Sequence, residues 1–297
     1  MTALRQRLEA AGYSAAWKLT GLAPEALALR VFEGVGGFAA RRGGRGVQRL
    51  RENLARVVPE AGPEELDRLT DEAMRSYLRY WAEAFRLPYW PIDDLVARID
   101  PVNESVMRDP LAEGRGVLIA LPHVANWDWA GAWACGTGAP LMTVAERLRP
   151  ESLYDRFVAY RESLGMTILP ATGGDPPIPQ LEAHLREGGL VCLVADRDLS
   201  STGLVVDLCG HPASLPAGPA VIAQRTGADL VAATLRYVGS RLEIHLHGPL
   251  DTGEGATGVK AATQAMADVF SEGLRKSPTD WHMLQRVFLD EPPEESR

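Results

Sequence analysis

From Pro101 onward the chain alternates short apolar runs with stretches of helical periodicity, and this alternation restricts the fold more than any other feature. Strands are expected at 117–121, 141–145, 166–169, 190–195, 204–208, 230–235 and 242–246. Helices are expected at 127–135, 151–164, 178–186, 219–226 and 259–274. Short, largely apolar runs bounded by turn residues suit buried strands, and alternation with helices indicates an α/β protein with a central sheet flanked by helices. The sheet must be mixed, because the last two strands are joined only by the tight turn at Gly239-Ser240, too short for a parallel crossover. Residues 1–100 read as a helical amino-terminal region with breaks at Gly43-Gly44, Pro59 and Gly62-Pro63. On its helix at 64–85, Met74, Tyr77, Leu78 and Trp81 share a side expected to join the core, while Arg75 and Arg79 lie off it, where solvent is expected. The organisation expected is one domain over 1–297: a membrane-facing helical part at 1–100, a catalytic core at 101–290 and a disordered polar tail at 291–297.

Within this frame one strand-to-helix junction stands out. The apolar run at 117–121 ends at Pro122 and delivers His123, and Asn126 is a good N-cap for the helix that places Asp128 in its first turn. Ligands of open α/β sheets gather at the carboxyl ends of strands, where His123 falls. A neutral imidazole can take a proton near pH 7, and a carboxylate on its other nitrogen would fix the tautomer and stabilise the imidazolium. Asp128 is near enough in sequence to be that carboxylate. Asp196-Arg197-Asp198 follows the run at 190–195 and should emerge at the same edge. There the three could bind sugar hydroxyls, position a phosphate, or form a salt-bridge knot that fixes the loop.

These segments resemble the His-x4-Asp/Glu acyltransferases of the lysophospholipid acyltransferase superfamily. The branch is that of the lipid A late acyltransferases and the actinobacterial phosphatidylinositol mannoside acyltransferases, the latter being most similar. The resemblance rests on the stretch from His123 to Asp128, Ala145-Glu146-Arg147-Leu148, the stretch from Tyr160 to Gly165, Ala195-Asp196-Arg197-Asp198-Leu199, and the stretch from Leu215 to Ala220, in the family's order. It implies direct transfer of a fatty acyl chain, palmitoyl on this reading, from acyl-CoA as co-substrate to a hydroxyl of a glycolipid, the mannose of phosphatidylinositol mannosides. It further implies that His123 is the general base, that Asp128 orients it, and that Glu146, Arg161 and an acid of the Asp196-Arg197-Asp198 stretch line the acceptor pocket. Whether that acid is Asp196 or Asp198 is open, because the family can carry Glu there. No cofactor or metal is implied. Direct transfer agrees with the residues, since a thioester is already activated and no Gly-x-Ser-x-Gly elbow supplies a covalent nucleophile.

Two other classes compete: a metal-dependent hydrolase using His123, Asp128 and Asp196 or Asp198, and a catalytically silent lipid-binding protein. His245 and His247 have a chelating spacing but no third ligand near them, and Gly34 to Ala39 only superficially matches a dinucleotide turn, lying in a helical pattern. The net charge of −8 over 297 residues argues against nucleic acid as partner. Three cysteines without paired spacing suit buried thiols in a reducing compartment. Charged Arg5, Arg7 and Glu9 argue against a signal peptide, and no run is long enough to span a bilayer, so membrane contact should be peripheral, at the cytoplasmic face. Its expected seat is the helix carrying Leu27, Val31, Val35 and Phe38 on one face. Between Arg30 and Arg56 lie seven Arg and two Glu, which would favour an anionic inner membrane surface; an internal helix with a solvated Arg-rich loop fits equally.

Overall fold

The computed structural model describes residues 17–147, 151–198 and 202–289; the expected leader-free start, the polar tail, and Leu148 and Leu199 lie outside them. After a helical stretch at 17–22, three helices form the amino-terminal region: α1 (Glu25–Arg42), α2 (Arg45–Val57) and α3 (Pro63–Arg86). They break where glycine and proline demand it. Gly43 takes φ +70° and Gly44 φ +149° between α1 and α2, and Pro63 opens α3, where its missing N–H is no loss.

The α/β part follows as α4 (Ile92–Ala97), β1 (Ile99–Val102), α5 (Ser105–Ala112), β2 (Val117–Leu121), α6 (Trp127–Gly136), β3 (Leu141–Ala145), α7 (Glu151–Ser163) and β4 (Thr167–Pro170). It continues through α8 (Pro177–Arg186), β5 (Leu190–Val194), β6 (Leu204–Leu208), β7 (His211–Leu215), α9 (Gly218–Thr226), β8 (Asp229–Val238), β9 (Arg241–Leu250) and α10 (Gly255–Lys276). Seven strands form one sheet in the order β1-β9-β8-β2-β5-β3-β4, all neighbours parallel except the β8–β9 hairpin. The mixed α/β sheet expected from the sequence is therefore present. Two strands escaped the sequence reading: β1, whose Asp100 and Pro101 interrupt its apolar pattern, and β7, which opens His-Pro. The run at 204–208 is a strand outside the main sheet, paired antiparallel with β7.

Every residue of β2 is buried, as a strand with neighbours on both edges and cover on both faces requires. On α10, Val259, Ala262, Met266, Phe270 and Leu274 recur at three and four residues and are all buried, so one stripe seals the helix onto the sheet. The main core joins Tyr80, Ala84 and Leu87 of the helical region to the sheet, while Leu50, Leu54, Leu69 and Met74 form a smaller cluster between α2 and α3. Among the described residues no helix is long and apolar enough to cross a membrane.

Candidate active site

Sheet register builds the site. β2 and β5 are parallel neighbours with Leu121 level with Val194, and the Ala195 N–H donates to the Leu121 carbonyl at 2.8 Å. His123 and Asp196 each lie two residues past their paired strand ends, so they leave the same sheet edge side by side. His123 Nδ1 stands 2.6 Å from Asp196 Oδ1, and the His123 main-chain N–H donates to Oδ2 at 2.9 Å. Trp281 Nε1 donates to the same Oδ2 at 2.8 Å.

Asp196 is fully buried, which by itself would raise its pKa. The His123 charge and the donors from the His123 ring, Trp281 and the His123 main chain outweigh burial and hold the carboxyl below its ordinary range. A carboxylate accepting at Nδ1 puts the proton there and leaves Nε2 as the basic nitrogen.

The pairing expected between His123 and Asp128 is not formed. Asn126 accepts from the Trp129 N–H at 2.9 Å as an N-cap, and this locks Asp128 into the first turn of α6, turned away from the loop that carries His123. There Asp128, almost wholly buried, receives Arg161 Nε at 2.8 Å and the Tyr80 hydroxyl at 3.0 Å. Burial opposes the Arg161 charge, but Asp128 and the surrounding tyrosines more than compensate and raise its pKa. Arg161 is thus a largely buried ion-pair member rather than one of the solvated charges of its helix.

Around His123 opens a wide groove, and behind it lies a smaller, mostly apolar cavity between α6 and the sheet. Trp127, Val144, Arg161 and Val194 line both, so the two spaces meet beside the imidazole. Glu146 and Arg197 line the groove and bind each other at 2.8 Å, with Arg197 also held by Gln285. Asp198 is not among the groove-lining residues; its carboxylate accepts from the Gly203 N–H at 2.9 Å, the loop-fixing role. The structure therefore brings His123, Asp196, Glu146, Arg197 and Arg161 together around one groove, sets Asp128 behind it on the cavity side, and leaves Asp198 out.

Several neighbours were not foreseen. Tyr77 and Trp81, assigned to the core from periodicity, line the groove, and Arg79, expected in solvent, is mostly buried against Glu83 at 2.7 Å and over the Tyr237 ring. Trp281 and His282 lie in a stretch without regular structure, where periodicity carries no signal, and nothing local to the tryptophan points to an indole N–H aimed at a carboxylate. His245 meets Glu243 at 2.9 Å, and no group of three or more metal-ligating side chains occurs among the described residues.

The sequence pattern of the bacterial lipid A biosynthesis acyltransferases matches residues 4–290. The chain belongs to that family. Among its relatives, the phosphatidylinositol mannoside acyltransferase of Mycolicibacterium smegmatis is 44% identical over 287 residues, covering 96% of this chain and 93% of the relative. The phosphatidylinositol mannoside acyltransferase of Mycobacterium tuberculosis strain H37Rv is 42% identical over 291 residues, covering 96% and 90%. Membership makes the chain an acyltransferase by descent and gives the His123 groove its chemical context.

Proposed function

We propose that this acyltransferase moves a fatty acyl chain, palmitoyl in the first instance, from acyl-CoA to a hydroxyl of a glycolipid, the mannose of a phosphatidylinositol mannoside, at the cytoplasmic face of the membrane. The observation that carries the reading is the Nε2 of an Asp196-held His123 where a groove carrying Glu146 and Arg197 meets an apolar cavity. The acceptor enters by the groove and the acyl chain by the cavity. Nε2 takes the hydroxyl proton as the oxygen attacks the thioester carbonyl; the tetrahedral intermediate expels the thiolate, and the imidazolium returns the proton to it. Asp196 orients the ring and stabilises the imidazolium. Arg161 lines both spaces, and its guanidinium supplies positive charge for the oxyanion. Glu146 and Arg197 offer an acceptor and donors to sugar hydroxyls.

Cavity length supports a long chain. Its wall takes Leu141, Cys192, Ile119, Ala233 and Ile244 from five successive strands, four inter-strand steps or about 19 Å, the reach of an extended palmitoyl group. The names of the mannoside acyltransferases support the acceptor. Replacing His123 by Ala should lower transfer from palmitoyl-CoA to a phosphatidylinositol mannoside by roughly 10²- to 10⁴-fold; turnover near the parent's would reject the mechanism. Thiol release that needs the glycolipid separates transfer from silent lipid binding. The hydrolase alternative fits the geometry less well, because Asp128 is committed to Arg161 and Asp198 to Gly203, and activity surviving exhaustive chelation would count against it.

A further inference from the structure

The segment that supplies Trp281 to Asp196 also sets a second imidazole in the groove wall. The His282 main-chain N–H donates to the His123 carbonyl at 2.8 Å, and the ring stands among Tyr77, Tyr80 and Trp127 with centroids 5.6, 6.0 and 6.1 Å away. Its Nε2 lies 3.0 Å from Ser76 Oγ, while Ser76 donates its own proton to Asp280 Oδ1 at 2.9 Å. A hydroxyl has one proton. With that proton on Asp280, Ser76 must accept from His282, which fixes the Nε2–H tautomer and leaves Nδ1 as a pure acceptor.

That acceptor has no protein partner among the described residues, although the residue is only 6% exposed. Buried polar atoms are almost always satisfied, and a phenylalanine would fill the same aromatic niche without the penalty. Burial and the nearby His123 push the His282 pKa down to about 3, so the ring keeps its lone pair wherever His123 can act as a base. A lone pair calls for a donor. A fatty chain has none to offer; a polyol does.

We propose that His282 determines acceptor specificity by taking a hydrogen bond from a second hydroxyl of a polyol acceptor, next to the hydroxyl that His123 deprotonates. This rests on the acyl-transfer reading above. The two imidazoles then divide the work: Nε2 of His123 takes a proton, and Nδ1 of His282 only orients. The groove thereby reads its acceptor as a sugar rather than a simple alcohol.

The test measures kcat/KM for palmitoyl transfer to methyl α-mannopyranoside and to its monodeoxy analogues, in the parent and in His282→Phe. The parent should disfavour one analogue roughly tenfold, the worth of one hydrogen bond, and His282→Phe should lose that discrimination at that position alone. Uniform weakening across all sugars, or an unchanged pattern, overturns the proposal. Ser76→Ala provides a second variant should the first fold poorly: Ser76 is outside the groove lining, and its loss frees the tautomer, so the same discrimination should shrink; a pattern equal to the parent's overturns the proposal again. Failure of the parent to acylate any sugar or glycolipid would instead sink the acyl-transfer reading itself.

Discussion

His123 and Asp196 are 73 residues apart in the chain and 2.6 Å apart in space, so at the scale of single residues the site is a product of strand register. Asp196→Asn should keep the shape of the contact but remove the charge that stabilises the imidazolium, lowering kcat by about 10²- to 10⁴-fold, while Asp198→Asn should leave turnover within a few fold of the parent; comparable losses in steady-state kinetics of the two variants would contradict the assignment. His123 itself was legible, because a histidine just past a buried strand is a recognisable position. Its partner was not: spacing favours Asp128, but the helix that makes Asp128 look close also carries it away. The second imidazole predicts a pH effect on stability. His282 has a folded pKa of about 3 against an unfolded value of 6.5, so the unfolded chain binds the extra proton between those limits. Stability is fully present above 6.5 and falls as the pH drops toward 3, by at most about 1.4 kcal/mol per pH unit from this group. Denaturant unfolding followed from pH 7 to 4 should show a shallower slope in His282→Phe.

At the scale of elements, the segment with Trp281 and His282 fastens the loop between β2 and α6. It bonds to that loop at the His123 carbonyl and, through the Asp280 carbonyl, at the Ala125 N–H, where Ala125 sits at φ +47° in a conformation costly for a residue with a Cβ. Trp281→Phe keeps an aromatic ring and drops the indole donor to buried Asp196, a lost hydrogen bond to a charged group worth about 1.5–3 kcal/mol. Reduced stability in chemical denaturation together with slower transfer is the outcome expected, and a variant matching the parent in both would show the indole bond to be dispensable. The apolar cavity makes a separate prediction. Ala233 on β8 stands beyond the middle of its wall, so Ala233→Phe should shorten the preferred chain, seen when acyl-CoAs of different length compete and the products are weighed by mass spectrometry. β2, β3 and β5 were readable from apolar runs alone, whereas β1 and β7 were hidden because proline and polar residues interrupt them and only their partners make them strands.

Across the whole molecule, one face stays unburied. Leu27, Val31, Val35 and Phe38 of α1 are each more than half exposed, at 56, 54, 51 and 57%, and Leu19 and Leu22 of the preceding helical stretch are more open still. The spacing that put these side chains on one side was read correctly, and the internal-helix alternative fails because that side faces out. Arg41, Arg42 and Arg45 flank the same end, and Arg41 approaches Asp71 at 3.9 Å. An apolar face beside cations suits an anionic bilayer surface, each nearby cation adding about 1 kcal/mol. Replacing the three arginines with Gln should weaken sedimentation with phosphatidylserine vesicles by roughly 10²-fold at low salt. Screening should shrink the difference as salt rises, and equal binding by parent and variant would remove the electrostatic part of the idea.

Local pattern was sufficient for the α/β class, the helical amino-terminal region, the single apolar stripe of α1 and the histidine just past β2, because each depends on periodicity or on residues within one turn or strand. Only the tertiary structure decided which carboxylate holds that histidine, that the stripe of α1 faces outward, that Arg161 pairs with Asp128, and that His282 lines the groove. Those contacts join residues dozens of positions apart, and parallel register and packing, to which no short window of sequence has access, bring them together.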